Sequence, residues 1–173
     1  MMFVTSCATM HPDKFQPQQT SIDYQNYYLL NGRFSRHGLS KDSCKRNDED
    51  LFWDLFRQGH HYMINDTNDC TVELLTLNPK QLKVTYLIND SVIDSRILNG
   101  RIKYGYFELR RSTLIIPAII VNIFRTIKFR FGILENGNLT TDYREVAFGT
   151  AFLIIPVYYD EKREDLEFQK IGK

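Results

Sequence analysis

The chain is poor in the residues that mark the commonest functional classes. It has 3 cysteines, 1 tryptophan, 5 prolines and 4 histidines in 173 residues. No C-x-x-C pair or Cys/His spacing is present, so nothing suggests a zinc site. There is no G-x-S-x-G, no H-E-x-x-H, no Walker glycine loop and no G-x-G-x-x-G after a strand. The formal net charge of +1 removes the global electrostatic reason to bind nucleic acid. No apolar run reaches the length of a spanning helix. The longest, "LIIPAIIVNIF" and "VAFGTAFLIIPVYY", are interrupted by Pro117, Asn122, Gly149 and Pro156.

What is abundant is aromatic and β-branched: 12 Phe and 10 Tyr lean the chain toward strand. From Thr71 onward it reads as strands and turns. "TVELLTL" and "LKVTYLI" are strands around "NPKQ", and Asn89-Asp90 is a two-residue hairpin signal. Asn99-Gly100 marks a bulge or a second turn, and Tyr104-Gly105 a tight reversal. "RTIKFRFGIL" alternates Ile127, Phe129, Phe131 and Ile133 with Lys128, Arg130 and Gly132, the pattern of a half-buried strand. "ENGN" leads into "LTTDYRE", where Tyr143 faces in and Asp142 faces solvent. "YYDEKRED" reads as a charged loop and "LEFQKI" as a last strand. The fold class expected is mainly β: an antiparallel meander of 8–9 strands closing into a barrel, since closure removes the edges.

Earlier, "NDEDLFWDLFRQG" predicts one helix at about 48–58. Asn47 or Asp48 caps it, acids fill its first turn, and Leu51, Phe52, Leu55 and Phe56 form its apolar stripe. "YYLLNGRFSR" is a short strand around a glycine.

The N-terminus has its own pattern. Val4-Thr5-Ser6-Cys7 resembles a bacterial lipobox, whose cysteine is lipidated after cleavage. Residues 1–6 read as the remnant of a signal peptide, Cys7 as the lipid attachment site and 7–26 as a polar tether. Residues 27–173 form the single domain. Cys44 and Cys70 remain, and an oxidising envelope leaves both a disulfide and two free thiols open.

This order of parts resembles a family of small predicted bacterial envelope lipoproteins described as lipocalin-like. The motifs are the lipobox, "LNGRF", "LFWDLF", "GYFELRR" and "FRFGILENGNL". Gly32-Arg33-Phe34 departs from the lipocalin G-x-W, so lipocalin ligand binding does not transfer directly. The resemblance implies a lipid-anchored protein of the bacterial cell envelope, on the periplasmic or outer-membrane side.

Chemistry is sparse. His60 and His61 lie near Asp66 and Asp69, but adjacent residues of an extended chain point to opposite faces. The pair therefore supports a polar connection better than a metal or hydrolase site. Arg110, Lys128 and Arg130 fall on the outer face, and Arg101 or Lys103 can join them from the strand beyond. They are read as a solvated row interleaved with Glu108 and Asp142, or as a basic patch toward anionic headgroups.

The expectation is a non-enzymatic lipoprotein without cofactor, metal or nucleic-acid partner. It binds a small apolar ligand or lipid, or it has a solid core and an apolar surface for an envelope partner. A hydrolase at His60/His61 is the weaker alternative. The candidate surface is the repeated "LIIP": Leu114, Ile115, Ile116 and Ile119 in one segment, Phe152, Leu153, Ile154 and Ile155 in the other. Counting strand directions places both repeats at one end of the sheet, expected to pack under the helix stripe.

Overall fold

The computed structural model describes residues 18–39, 51, 55, 70–109, 112–117, 121–151 and 155–172. The strands are β1 (Gln19–Thr20), β2 (Gly32–Ser35), β3 (Cys70–Asn78), β4 (Gln81–Ile88), β5 (Ser91–Lys103), β6 (Tyr106–Leu109), β7 (Ser112–Pro117), β8 (Val121–Leu134), β9 (Leu139–Ala151), β10 (Ile155–Phe168) and β11 (Lys170–Ile171). One 3-10 turn, η1 (Tyr27–Leu30), precedes β2.

All pairings are antiparallel, and the sheet runs β10-β9-β8-β6-β5-β4-β3-β2-β11, with β1 and β7 also on β8. The meander and the mainly β class are as expected. The path has two ends, however, and does not return on itself as a ring. β11 follows β10 after Gln169 alone. At that junction Leu39 N–H donates to the Glu167 carbonyl (2.6 Å) and Ser35 N–H to the Gln169 carbonyl (2.8 Å).

The turns follow their chemistry. Asn89 and Asp90 both have positive φ (48° and 62°), as do Tyr104 and Gly105 (52° and 76°). Positive φ at both central residues matches the twist of the flanking strands. Asn99-Gly100, in contrast, does not turn. β5 continues through it and changes partner, from β4 (Gln81↔Asn99) to β6 (Gly100↔Leu109). The glycine is needed for a close approach: a Cβ there would lie 2.5 Å from the Phe107 ring and 2.6 Å from the Glu108 carbonyl.

The sheet curls around one core. Phe34, Val72, Leu74, Leu82, Val84, Tyr86, Phe107, Phe131, Leu139 and Phe168 are at most 1% exposed. They come from both ends of the strand path and form one cluster. Burying each such side chain contributes about 1.5–3 kcal/mol. Alternation is clear on β3, where Val72, Leu74 and Thr76 are buried while Leu75 and Leu77 are exposed.

Four expectations are corrected. "YYDEKRED" is not a loop but the middle of β10, paired residue by residue with β9 up to a bulge between Arg163 and Leu166. Its charges do not prevent a strand because they find partners: Asp160 with Arg144 (2.9 Å), Arg163 with Glu161 (3.2 Å) and Lys162 with Glu164 (2.7 Å). Residues 18–26, assigned to the tether, belong to the domain. β1 pairs with β8, and Ile22 is 1% exposed, its N–H donating to the Gly105 carbonyl. The first "LIIP" is strand β7 rather than a connection, and Ile155-Pro156 of the second open β10. Asp142, placed toward solvent, is 2% exposed.

Of the expected helix, Leu51 and Leu55 are described and both are helical. No α-helix is delineated among the described residues; Phe52, Phe56 and the rest of 48–58 lie outside them. Leu51 is fully buried and its N–H donates to the Arg36 carbonyl (2.9 Å). This anchors it beside the C-terminal end of β10. Ile155, at the other end of that strand, is 55% exposed. The idea that this stripe covers the "LIIP" repeats therefore fails at Leu51: strand β10 separates the two by more than ten residues.

Candidate functional site

Two constructions stand outside the core. The first is a row of charges on the outer face of the sheet. Arg101, Glu108, Arg130 and Asp142 occupy directly paired positions across β5, β6, β8 and β9. The signs alternate, so each strand supplies a counter-charge to the next. Arg101 pairs with Glu108 at 3.0 Å and Arg130 with Asp142 at 2.5 Å. The row ends at the β10 bulge, where Asp165 N–H donates to Asp142 Oδ1 at 2.8 Å.

The interleaving of Glu108 and Asp142 was legible in the sequence; the burial was not. Glu108, Arg130 and Asp142 are all under 10% exposed. The Arg130 guanidinium lies 4.1 Å from the centre of the Tyr106 ring. Burial is the largest influence on Asp142 and raises its carboxyl above the ordinary range, against the Asp165 N–H and Arg130. Burial likewise pushes the Tyr106 hydroxyl up to about 12, with the Asp142 charge adding to it. Beside the row is an open groove of about 630 Å³, lined by Lys80, Gly100, Arg101, Glu108 and Lys128. Arg110 lies outside the described residues.

The second construction is an arm. Beyond the level where β6 pairs with β8, the strand on that side is β7, paired only with β8 among the described residues. β7, β8, β9 and β10 continue together as a four-stranded projection. Its base is polar: Arg125 Nη2 donates to Glu145 Oε2 at 2.8 Å, Tyr143 Oη donates to the same carboxylate, and the Arg163 guanidinium lies over the Tyr143 ring. This cluster ends the core and begins the arm.

Above Arg125 no charged residue occurs. The rows are Ile115–Phe124–Phe148–Tyr158, Ile116–Ile123–Gly149–Val157, Pro117–Asn122–Thr150–Pro156 and Val121–Ala151–Ile155. The Phe124 and Phe148 rings stack at 5.3 Å. Ile155 through Asp160 are all exposed. Because side chains alternate between faces, such a run means that neither face of β10 is covered here.

The structure thus brings Leu114, Ile115, Ile116 and Ile155 to one end, as strand counting expects. Ile119, Phe152, Leu153 and Ile154 lie outside the described residues, as do Cys7, Cys44, His60 and His61. Cys70, at the start of β3, is a half-buried free thiol. Sequence reasoning missed Phe124, Phe148, Val157 and Tyr158 as members of the surface. The available signal was the absence of charge from 114 to 124 and from 146 to 159.

Among the described residues, no group of His, Cys, Asp or Glu is arranged to hold a metal ion, and no helix is long and apolar enough to cross a membrane. Compared with known proteins, the chain matches no protein-family model, no curated protein and no solved structure.

Proposed function

We propose that this protein is a non-enzymatic cell-envelope lipoprotein: a lipocalin-like barrel with a solid core, held to a membrane through lipid on Cys7, that works by docking its apolar arm on a partner surface. The observation that carries this reading is the contrast between interior and arm. The interior is occupied by Phe34, Phe107, Phe131, Phe168, Tyr86 and Tyr143, all nearly inaccessible. The arm leaves Phe124, Ile155, Val157, Tyr158 and Tyr159 between 36% and 68% exposed. A contiguous apolar patch of this kind on a soluble protein marks an interaction site.

Closure of the barrel is supported by the bonds at the Glu167–Gln169 junction, where β10 leaves β9 and β11 joins β2. Counting that last strand once gives eight around the core, a number whose interior side chains can fill. The buried, helical Leu51, bonded to the Arg36 carbonyl, then closes the end near Arg36. A filled interior favours this reading over binding of a small ligand inside the barrel.

Native mass spectrometry of the intact protein tests the solid core. The expected mass is that of the chain from Cys7 onward with its acyl groups and nothing more. A stoichiometric apolar ligand that survives purification would return the hollow lipocalin reading. A photo-crosslinker at Tyr158 tests the arm, and cells in which it captures neither protein nor lipid would remove the docking function.

A further inference from the structure

We infer that the surface on which the arm docks is lipid, and that its charge-free tip enters one leaflet of a bilayer. This rests on the arm being the working surface and names what it meets.

The geometry argues against the other occupants. A protein with a flat interface covers one face of a sheet, whereas β10 is exposed on both from Ile155 to Tyr159. A second copy stacked face to face leaves the outer faces exposed as well. A second copy added edge to edge meets a proline at the same level of either edge: Pro117 on β7 and Pro156 on β10 share the row with Asn122 and Thr150. Proline offers no N–H to a neighbouring strand, and its presence at an edge opposes strand addition. The helical Leu51 is held at the opposite end of β10.

Lipid satisfies the remaining features together. Four charge-free rows reach roughly 13 Å at about 3.3 Å per residue, less than half of a ~30 Å hydrocarbon core. The arm therefore enters without spanning, which the edges of β7 and β10, unpaired among the described residues, would forbid. Tyr158 and Tyr159, 68% and 46% exposed, stand at the lower border of the charge-free rows. Tyrosine favours that level of a membrane, with its ring in apolar surroundings and its hydroxyl wet. Directly below come Arg125, Arg144, Lys162 and Arg163 with their acidic partners, placed for headgroups rather than for acyl chains. The balance of those charges predicts little dependence on anionic lipid.

The test uses the full chain with Cys7→Ser, so that no acyl chain contributes, and vesicles of phosphatidylcholine with and without phosphatidylglycerol. The expected result is sedimentation with both vesicle types. In a Tyr158→Trp variant, fluorescence should be quenched by lipids brominated high in the acyl chain, relative to the parent carrying Trp53. Val157→Asp and Tyr158→Asp should each reduce binding about tenfold or more, while Tyr24→Asp and Val92→Asp, exposed elsewhere, should not. Melting curves confirm that all variants fold.

Failure of the parent to bind either vesicle overturns the inference, as does binding unchanged in both arm variants or confined to anionic vesicles. Lipid-free self-association that shields position 158 assigns the arm to a second copy and also overturns it. Protein crosslinking at Tyr158 without vesicle binding sinks the lipid inference and leaves the docking arm standing. Neither crosslinking nor binding removes both.

Discussion

Pro117 and Pro156 stand in one cross-strand row, on the two outer strands of the arm, with Asn122 and Thr150 between them. The repeated "LIIP" is thus a structural pair: each copy puts a proline on a different edge at the same level. In an exposed apolar sheet, such edges invite strand addition from another chain. Restoring an N–H with Pro117→Val and Pro156→Val should raise self-association. Light scattering at matched concentration checks this, and the double variant should exceed either single one.

The Arg130–Asp142 pair is buried on both sides. Removing one partner leaves the other charge without compensation, so Arg130→Met or Asp142→Leu should each cost about 3–5 kcal/mol. The double substitution should cost clearly less than the sum. A double-mutant cycle in urea measures the coupling, and an additive result would mean that Glu108 or Asp165 holds the row without them.

Tyr106 supplies an alkaline signature. The folded state keeps its proton to about pH 12, while the unfolded chain releases it near the ordinary value of 10. Between those values the folded state binds more protons, so stability falls as pH rises through the window. Thermal melts should show this loss, and Tyr106→Phe should reduce it.

Asp160 acts in the other direction. Its hydrogen bond from Arg144 holds the carboxyl below the ordinary 3.8. It therefore contributes at neutral pH and loses that contribution as pH falls below about 4. The pair is on the surface of β10 and is worth little. Asp160→Asn should leave the melting temperature at pH 7 nearly unchanged and slightly reduce its fall under acid.

Gly100 should tolerate no side chain. Gly100→Ala places a methyl group against the Phe107 ring and the Glu108 carbonyl, at about 1–3 kcal/mol for overpacking. Denaturant unfolding reads the loss, and Gly137→Ala, whose Cβ would make only an ordinary contact with Lys170 (3.8 Å) but whose φ is +84°, separates crowding from backbone strain.

Much of this protein follows from local chemistry that the sequence carries alone. Asn89-Asp90 and Tyr104-Gly105 are turns because Asn89, Asp90 and Gly105 accept positive φ, and Phe129 and Phe131 face inward because a strand alternates. The end at which both "LIIP" segments lie followed from counting antiparallel reversals. Other properties depended on what strands do to one another. Asn99-Gly100 reads as a bulge or a turn, yet β5 runs on because β6 supplies a new partner, Leu109 opposite Gly100, just where Gln81 ends the old one. "YYDEKRED" reads as a loop, but β9 offers a ladder for its backbone and Arg144 an ion partner for its Asp160. Asp142 reads as solvated, yet Arg130, Tyr106 and the Asp165 N–H converge on it from three other strands. Periodicity describes one strand at a time. Whether a charge is buried, or the apolar end of β10 left bare on both faces, is settled by neighbours far away in the chain, and only the packed sheet brings those together.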